Sequence, residues 1–128
     1  LRNIVETCND LGARYGQAGN MKEAIRAFTI AIEMDEAINK HASVRSWLAK
    51  SFYNRAVAYV HVQEYARAVR DCTRAVEINP NYADGYYQRA VAHMRGKQVP
   101  QAVSDLKRAA QLGHSGAQNA LRKQGIKW

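Results

Sequence analysis

The sequence offers little to catalysis, to metal or to a lipid bilayer. No apolar run approaches the roughly 18–20 residues of a membrane span, and the mean hydropathy is −0.48 although 47% of the residues are hydrophobic. Cysteine is sparse: Cys8 and Cys72 are the two present, and they lack the spacing of a metal site or of a disulfide framework. A phosphate-binding loop is missing, since Gly96–Lys97 has neither the upstream glycine nor the following hydroxyl, and there is no HExxH. His41, His61, His93 and His114 are scattered, and no nucleophile has an evident base. These absences point away from an enzyme and from any cofactor or metal. No secretory signal is visible, and Leu1 in place of an initiator methionine predicts a piece of a longer chain.

Acidic residues are the scarce charge, 11 Asp+Glu against 19 Lys+Arg, for a net charge of +8. The excess is uneven. Residues 1–64 carry 8 Lys+Arg and 7 Asp+Glu, giving +1, whereas residues 65–128 carry 11 and 4, giving +7. A basic half fits an acidic partner or nucleic acid, and fits equally a solvated outer surface.

What is present is a repeat, centred on Ser51–Pro80. Moved forward by 34 residues, Phe52, Tyr53, Arg55, Ala56, Val57, Ala58 and Tyr59 fall on Tyr86, Tyr87, Arg89, Ala90, Val91, Ala92 and His93. Ala68, Asp71 and Ala75 likewise fall on Ala102, Asp105 and Ala109. A period of this length in an alanine-rich, helix-patterned segment resembles the tetratricopeptide repeat, a helix–turn–helix unit that stacks into a solenoid. Phe52, Arg55, Ala56, Tyr59, Ala68, Cys72 and Pro80 occupy the family's slots. Two departures are arginine in the leucine slot, at Arg55 and Arg89, and Cys72 in place of phenylalanine. Small Ala56 and Ala68 let paired helices approach, and Pro80 ends the second helix. Cys8 and Cys72 sit in large-apolar slots and are expected as buried free thiols, which favours a reducing, cytoplasmic compartment. His93, in a tyrosine slot, is expected as a partly buried packing residue.

Upstream, Cys8, Leu11, Gly12, Tyr15, Ala24, Phe28 and Ala31 keep the same internal spacing. A first helix over roughly 2–17 is expected, then Gly19 in a left-handed turn and Asn20 with Glu23 as a capping box. Gly12 and Gly16 form a GxxxG that reads as a packing feature. Gly12 to Ala56 is 44 residues, ten more than the period. The extra residues are expected to lengthen both flanking helices around a break near Lys40–Ser43; an inserted functional loop is the alternative. Helices near 44–62 and 65–79 follow. Asn81 and Asp84 are expected to cap the next helix, which stops at Gly96, and Pro100 suits the first turn of the one after. Gly113 ends that helix, and Ser115 with Gln118 reads as a capping box for a last helix reaching about Gln124, with Gly125 beyond.

The expected fold is therefore all-α, and the resemblance implies a right-handed α-α superhelix of three helix hairpins plus a C-terminal capping helix. One domain, 1–128, divides into repeat one at about 5–38, an extension at about 39–48, repeat two at 49–82, repeat three at 83–114 and a cap at 115–125. Gln118, Asn119, Arg122 and Lys123 supply the polar end that a solenoid needs.

The resemblance also implies a protein–protein interaction module whose first helices line a concave groove for a peptide or helix of a partner protein. Carried over by slot, the groove presents Asn9, Asp10 and Ala13, then Lys50, Tyr53, Asn54, Val57 and His61. It continues with Asp84, Tyr87, Gln88, Val91 and Arg95, and ends on Gln118 and Arg122. Tyrosines beside amides suit peptide reading; Tyr53 and Tyr87 packing between hairpins is the alternative. One subgroup of the family clamps the carboxylate of chaperone tails with lysine and asparagine, then asparagine, then lysine and arginine. Asn54 matches the middle member, but Asn9 with Ala13 and Asp84 with Gln88 replace the outer pairs. An aspartate there repels a carboxylate by about 1 kcal/mol at ~4 Å in water, so chaperone-type tails are expected to bind weakly. Arg67, Arg70, Arg74, Lys107 and Arg108 are expected on outward faces, with the tyrosines elsewhere, so nucleic-acid binding is expected to be weak and indifferent to sequence. A basic nucleic-acid scaffold and self-association through an exposed solenoid edge are the alternative readings.

Overall fold

The helical periodicity is realised as seven helices and no strand among the residues that the structure, a computed structural model, describes: 4–38 and 46–128. They are α1 (Ile4–Gln17), α2 (Met21–Ile38), α3 (Ser46–His61), α4 (Tyr65–Ile78), α5 (Ala83–Arg95), α6 (Val99–Gln111) and α7 (Ser115–Lys123). The expected break near Lys40–Ser43 lies outside the described residues.

Helices pair as α1/α2, α3/α4 and α5/α6, and each second helix packs on the first helix of the next pair. Helices α1, α3 and α5 also touch in succession, so the first helices form one row. Alanines make this closeness possible. Ala24, Ala56, Ala68, Ala75, Ala102, Ala109 and Ala117 lie fully buried along the helix contacts, with Phe28, Leu48, Phe52 and Leu121 filling the space between layers. Gly12 belongs to the same device: a Cβ there would sit 2.5 Å from the Phe28 ring, which therefore rests directly on the α1 backbone.

One turn geometry recurs. Gly19, Gln63 and Lys97, at equivalent places in the three hairpins, have φ of 81°, 64° and 64°, and Gly113 and Gly125 repeat it at 94° and 69°. The N–H of the following residue reaches back to the last helical turn in each hairpin: Asn20 to Tyr15 O at 2.8 Å, Glu64 to Tyr59 O at 2.8 Å, Gln98 to His93 O at 2.7 Å. This is the Schellman closure. Helix α5 stops at Gly96, its C-cap, as expected, but Gly96 has φ −83° and Lys97 takes the left-handed place.

Two caps differ from expectation. Tyr82, not Asn81, is the N-cap of α5, with no side-chain cap bond; Asn81 instead donates its N–H to Asn79 Oδ1 at 3.2 Å. Helix α7 is capped by His114, whose Nδ1 accepts the Ala117 N–H at 3.1 Å, while Gln118 Nε2 donates to Ala110 O. Ser115 is exposed. Pro100 lies in the first turn of α6. Cys72 is fully buried, and burial pushes its thiol up to about 12. Cys8, expected to be buried, is only half-buried because α1 is an outermost helix. His93 is mostly buried, with Nδ1 2.8 Å from Gln98 Oε1 and Nε2 3.7 Å from Asp105 Oδ2.

The two arginines in leucine slots have a shared structural reason. Arg55 donates from Nε and Nη2 to Asp71 at 2.7 and 2.8 Å, and from Nη1 to Thr29 Oγ1 at 3.1 Å. Arg89 repeats the arrangement with Asp105 at 2.9 and 2.8 Å and with Thr73 at 3.1 Å. Each arginine ties its own hairpin shut and reaches the second helix of the hairpin before it. Hydrogen bonding to Asp105 holds the Arg89 guanidinium above its usual value, against the opposite pull of burial. In the first hairpin the equivalent residues are Leu11 and Ala27, an apolar pair in place of the ionic one.

Candidate functional site

The row of first helices leaves a groove of about 320 Å3 between α1 and α3. Gly12, Ala13 and Gly16 form one wall because they carry almost no side chain, and Tyr53, Asn54, Val57 and His61 form the other. Ala24 and Phe28 of α2 floor it. Ala24 and Phe28 are themselves buried, 0% and 4% exposed, and the groove opens above them where α1 carries only glycine and alanine. Residues 53, 54, 57 and 61 share one face of α3 by the helical period, so the wall presents Asn54, an amide with two donors and an acceptor, among apolar neighbours.

Of the residues read from the sequence, the structure brings Ala13, Tyr53, Asn54, Val57 and His61 together here. Tyr53 also packs on Tyr82, ring centroids 5.3 Å apart, and burial raises its hydroxyl above the usual value. Asn9 is corrected: it is buried between α1 and α3, where its Nδ2 donates to Ser51 Oγ at 2.7 Å, and Ser51 in turn donates to Trp47 O. Lys50 is exposed, with Nζ 5.1 Å from the Trp47 ring centroid. Val91 packs on the core around Ala56, Cys72 and Ala92, and Gln88 is half-buried.

The C-terminal part of the expected groove is occupied by the protein itself. Tyr87 stacks on His114 at 4.3 Å between centroids, and His114 Nε2 lies 3.1 Å from Asp84 Oδ1. Tyr87 therefore belongs with the α7 cap and lines a different concavity of about 610 Å3, with Met94, Val103, Leu106 and Ile126. Gln118 is bonded to Ala110 O, and Arg122 lies over Trp128 at 5.3 Å. The apolar stripe Val99, Val103, Leu106 on α6 is the sequence signal for that basin.

The outward arginines also have company. Phe52 lies beneath Arg55 and Arg74 at 5.7 and 5.5 Å, Tyr59 beneath Arg55 and Arg67 at 5.7 and 5.9 Å, and Tyr86 beneath Arg89 and Arg108 at 5.6 and 5.7 Å. The expectation that the tyrosines lie on another face holds for Tyr53 and Tyr87 and fails for Tyr59 and Tyr86, because residues of one helix turn by about 100° per position and so reach different sides.

Comparison with known proteins places this geometry. Residues 49–82 match the tetratricopeptide repeat family model. The rat mitochondrial import receptor subunit TOM70 is 32% identical over 77 residues, which is 60% of this chain and 12% of that protein. A Dictyostelium discoideum DnaJ homolog subfamily C member 7 homolog is 37% identical over 82 residues, 64% of this chain and 14% of that protein. The chain thus spans only a small part of these relatives. Among solved structures, the first repeat domain of Spaghetti (RPAP3) bound to the HSP90 peptide SRMEEVD superposes with a TM-score of 0.80 at 27% identity, covering 94% of this chain and 91% of that one. The second such domain of human RPAP3, in complex with an HSP70 peptide, gives 0.79 at 26% identity, with 96% of each chain covered.

Proposed function

The chain is built of tetratricopeptide repeats, and we propose that it is a non-catalytic interaction module that takes an extended peptide or helix of a partner protein in the groove between α1 and α3. The observation that carries this reading is the groove itself, with its apolar floor at Phe28 and Asn54 set among apolar side chains. Such a site suits a peptide that lays an apolar side chain between Ala13 and Val57 while Asn54 grips its backbone. The similar RPAP3 domains, solved with chaperone peptides, support peptide binding as the class of function.

The chaperone tail itself fits poorly. Ala13 carries no polar group, and Asp84 presents a carboxylate already beside His114. The partner segment is accordingly less dependent on a free C-terminal carboxylate. The test is calorimetry with peptides selected on the intact domain from a displayed library. Asn54→Ala and Val57→Arg should each leave helicity unchanged and weaken these peptides by about tenfold or more. Unaltered affinity in both variants would move the site out of this groove.

A further inference from the structure

The opposite face of α3 carries a second concavity, of about 400 Å3. Phe52, Arg55 and Tyr59 line one side, roughly 180° around the helix from Asn54 and Val57 at about 100° per residue. Arg67, Arg70 and Arg74 of α4 line the other.

The internal repetition separates the arginines that the fold uses from those it does not. Arg55 and Arg74 recur 34 residues later as Arg89 and Arg108. Their roles recur too: the first chelates an aspartate, and the second covers an aromatic ring. Arg67 and Arg70 do not recur. Their equivalents are Gln101 and Ser104, and the α5/α6 hairpin closes in the same way without them. Among the described residues, Arg67 has an exposed ion pair to Glu64 at 3.4 Å and lies 5.9 Å from the Tyr59 ring centroid, while Arg70 is exposed and has no ion pair. The carboxylate inside the valley, Asp71, is already taken up by Arg55.

We propose that this valley is a second binding site, for an acidic segment of a partner polypeptide whose carboxylate or phosphoserine oxygens are held by Arg67, Arg70 and Arg74. Guanidinium forks match both oxyanions, and three on one helical stripe present them along a line. That stripe rises about 10 Å over its length, the reach of about three extended residues. Two features disfavour a nucleic-acid strand. Phe52 is buried, and two guanidinium groups lie within 5.9 Å of each of the Phe52 and Tyr59 ring centroids, where a base would have to stack. Glu64 and Glu77, paired with Arg67 and Arg74, place negative charge at the two ends of the row, where a polyphosphate backbone would continue.

The experiment is fluorescence anisotropy with three probes: an oligoglutamate peptide, a phosphoserine peptide and a mixed-sequence single-stranded oligonucleotide. They are titrated with the wild type, with Arg67→Gln/Arg70→Ser, which borrows the residues of the next repeat, and with Lys107→Gln/Lys127→Gln, which removes equal charge elsewhere. Both peptides should bind the wild type. The arginine variant should lose about tenfold or more in affinity while the lysine variant stays within about twofold. Should the arginine pair alter the melting curve, Arg70→Ser alone, at an exposed position, carries the same reading. Equal losses in the two variants, or no peptide binding by the wild type at low salt, would overturn the proposal. So would an oligonucleotide that binds more tightly than the peptides at physiological salt through Arg67 and Arg70, which would assign the valley to nucleic acid.

Discussion

Arg55 and Arg89 are the residues at which the repeat pattern and its physics separate. An arginine in a leucine slot is a misfit by composition alone. It becomes sensible once Asp71 and Asp105 are seen to accept it bidentately in largely buried surroundings. Arginine and aspartate recur with one period in the sequence, yet that they meet depends on how the hairpin closes, which the sequence does not show. Arg55→Leu should cost about 3 kcal/mol by leaving Asp71 buried and unpaired. Arg55→Leu with Asp71→Ala copies the Leu11/Ala27 pair of the first hairpin and should recover most of that loss. Urea denaturation of the single and double variants checks it; equal midpoints would mean that the ion pair does not couple the helices. The two cysteines differ for a similar reason. Cys72 is enclosed on all sides and its thiol is pushed up to about 12, whereas Cys8 lies on an outermost helix. Native protein should therefore be alkylated at Cys8 and resist at Cys72 until denatured. Mass spectrometry of the labelled chain reads this directly, and equal labelling would contradict the packing.

Among the elements, the helices were legible because alanine and large apolar residues recur at helical spacing with a 34-residue period. Their ends were less so. Glycine marks the left-handed residue at Gly19, Gly113 and Gly125, but the second and third hairpins use Gln63 and Lys97 in that conformation. There the hydrogen-bonded turn imposes the geometry on side chains that do not prefer it. Gln63→Gly should consequently raise stability, by up to about 1 kcal/mol, since a left-handed residue with a Cβ costs roughly 1–2 kcal/mol against the entropic cost of glycine. A lowered melting temperature would show that Gln63 contributes something beyond its backbone. The cap of α7 was hidden for a different reason: His114 is not a usual capping residue, and it serves because stacking on Tyr87 fixes its ring with Nδ1 toward the Ala117 N–H. At Gly12, by contrast, the short-range pattern already indicated close packing. Gly12→Ala should overpack Phe28 and cost about 1–3 kcal/mol, measured by thermal melting.

At the scale of the whole molecule, the fold class and its repeats could be read from the residues, while the make-up of the groove between α1 and α3 could be read only in part. Slot positions located Ala13, Tyr53, Asn54, Val57 and His61 correctly relative to one another, because a shared helix face and a shared hairpin register follow from the period. The same rule put Asn9 in the groove, whereas Ser51 draws its amide into the core, and it did not foresee that the final cap brings His114 against Tyr87. A period cannot foresee such contacts because they involve residues that do not repeat. The proposed place of a partner peptide, between α1 and α3, is tested most directly by a two-dimensional amide NMR titration of the domain with a library-selected peptide. The largest shifts should cluster at Gly12, Ala13, Gly16, Asn54, Val57 and His61, with α4 and α6 little changed. Shifts confined to α4, or to the basin around Met94 and Leu106, with the α1 and α3 amides unmoved, would contradict it.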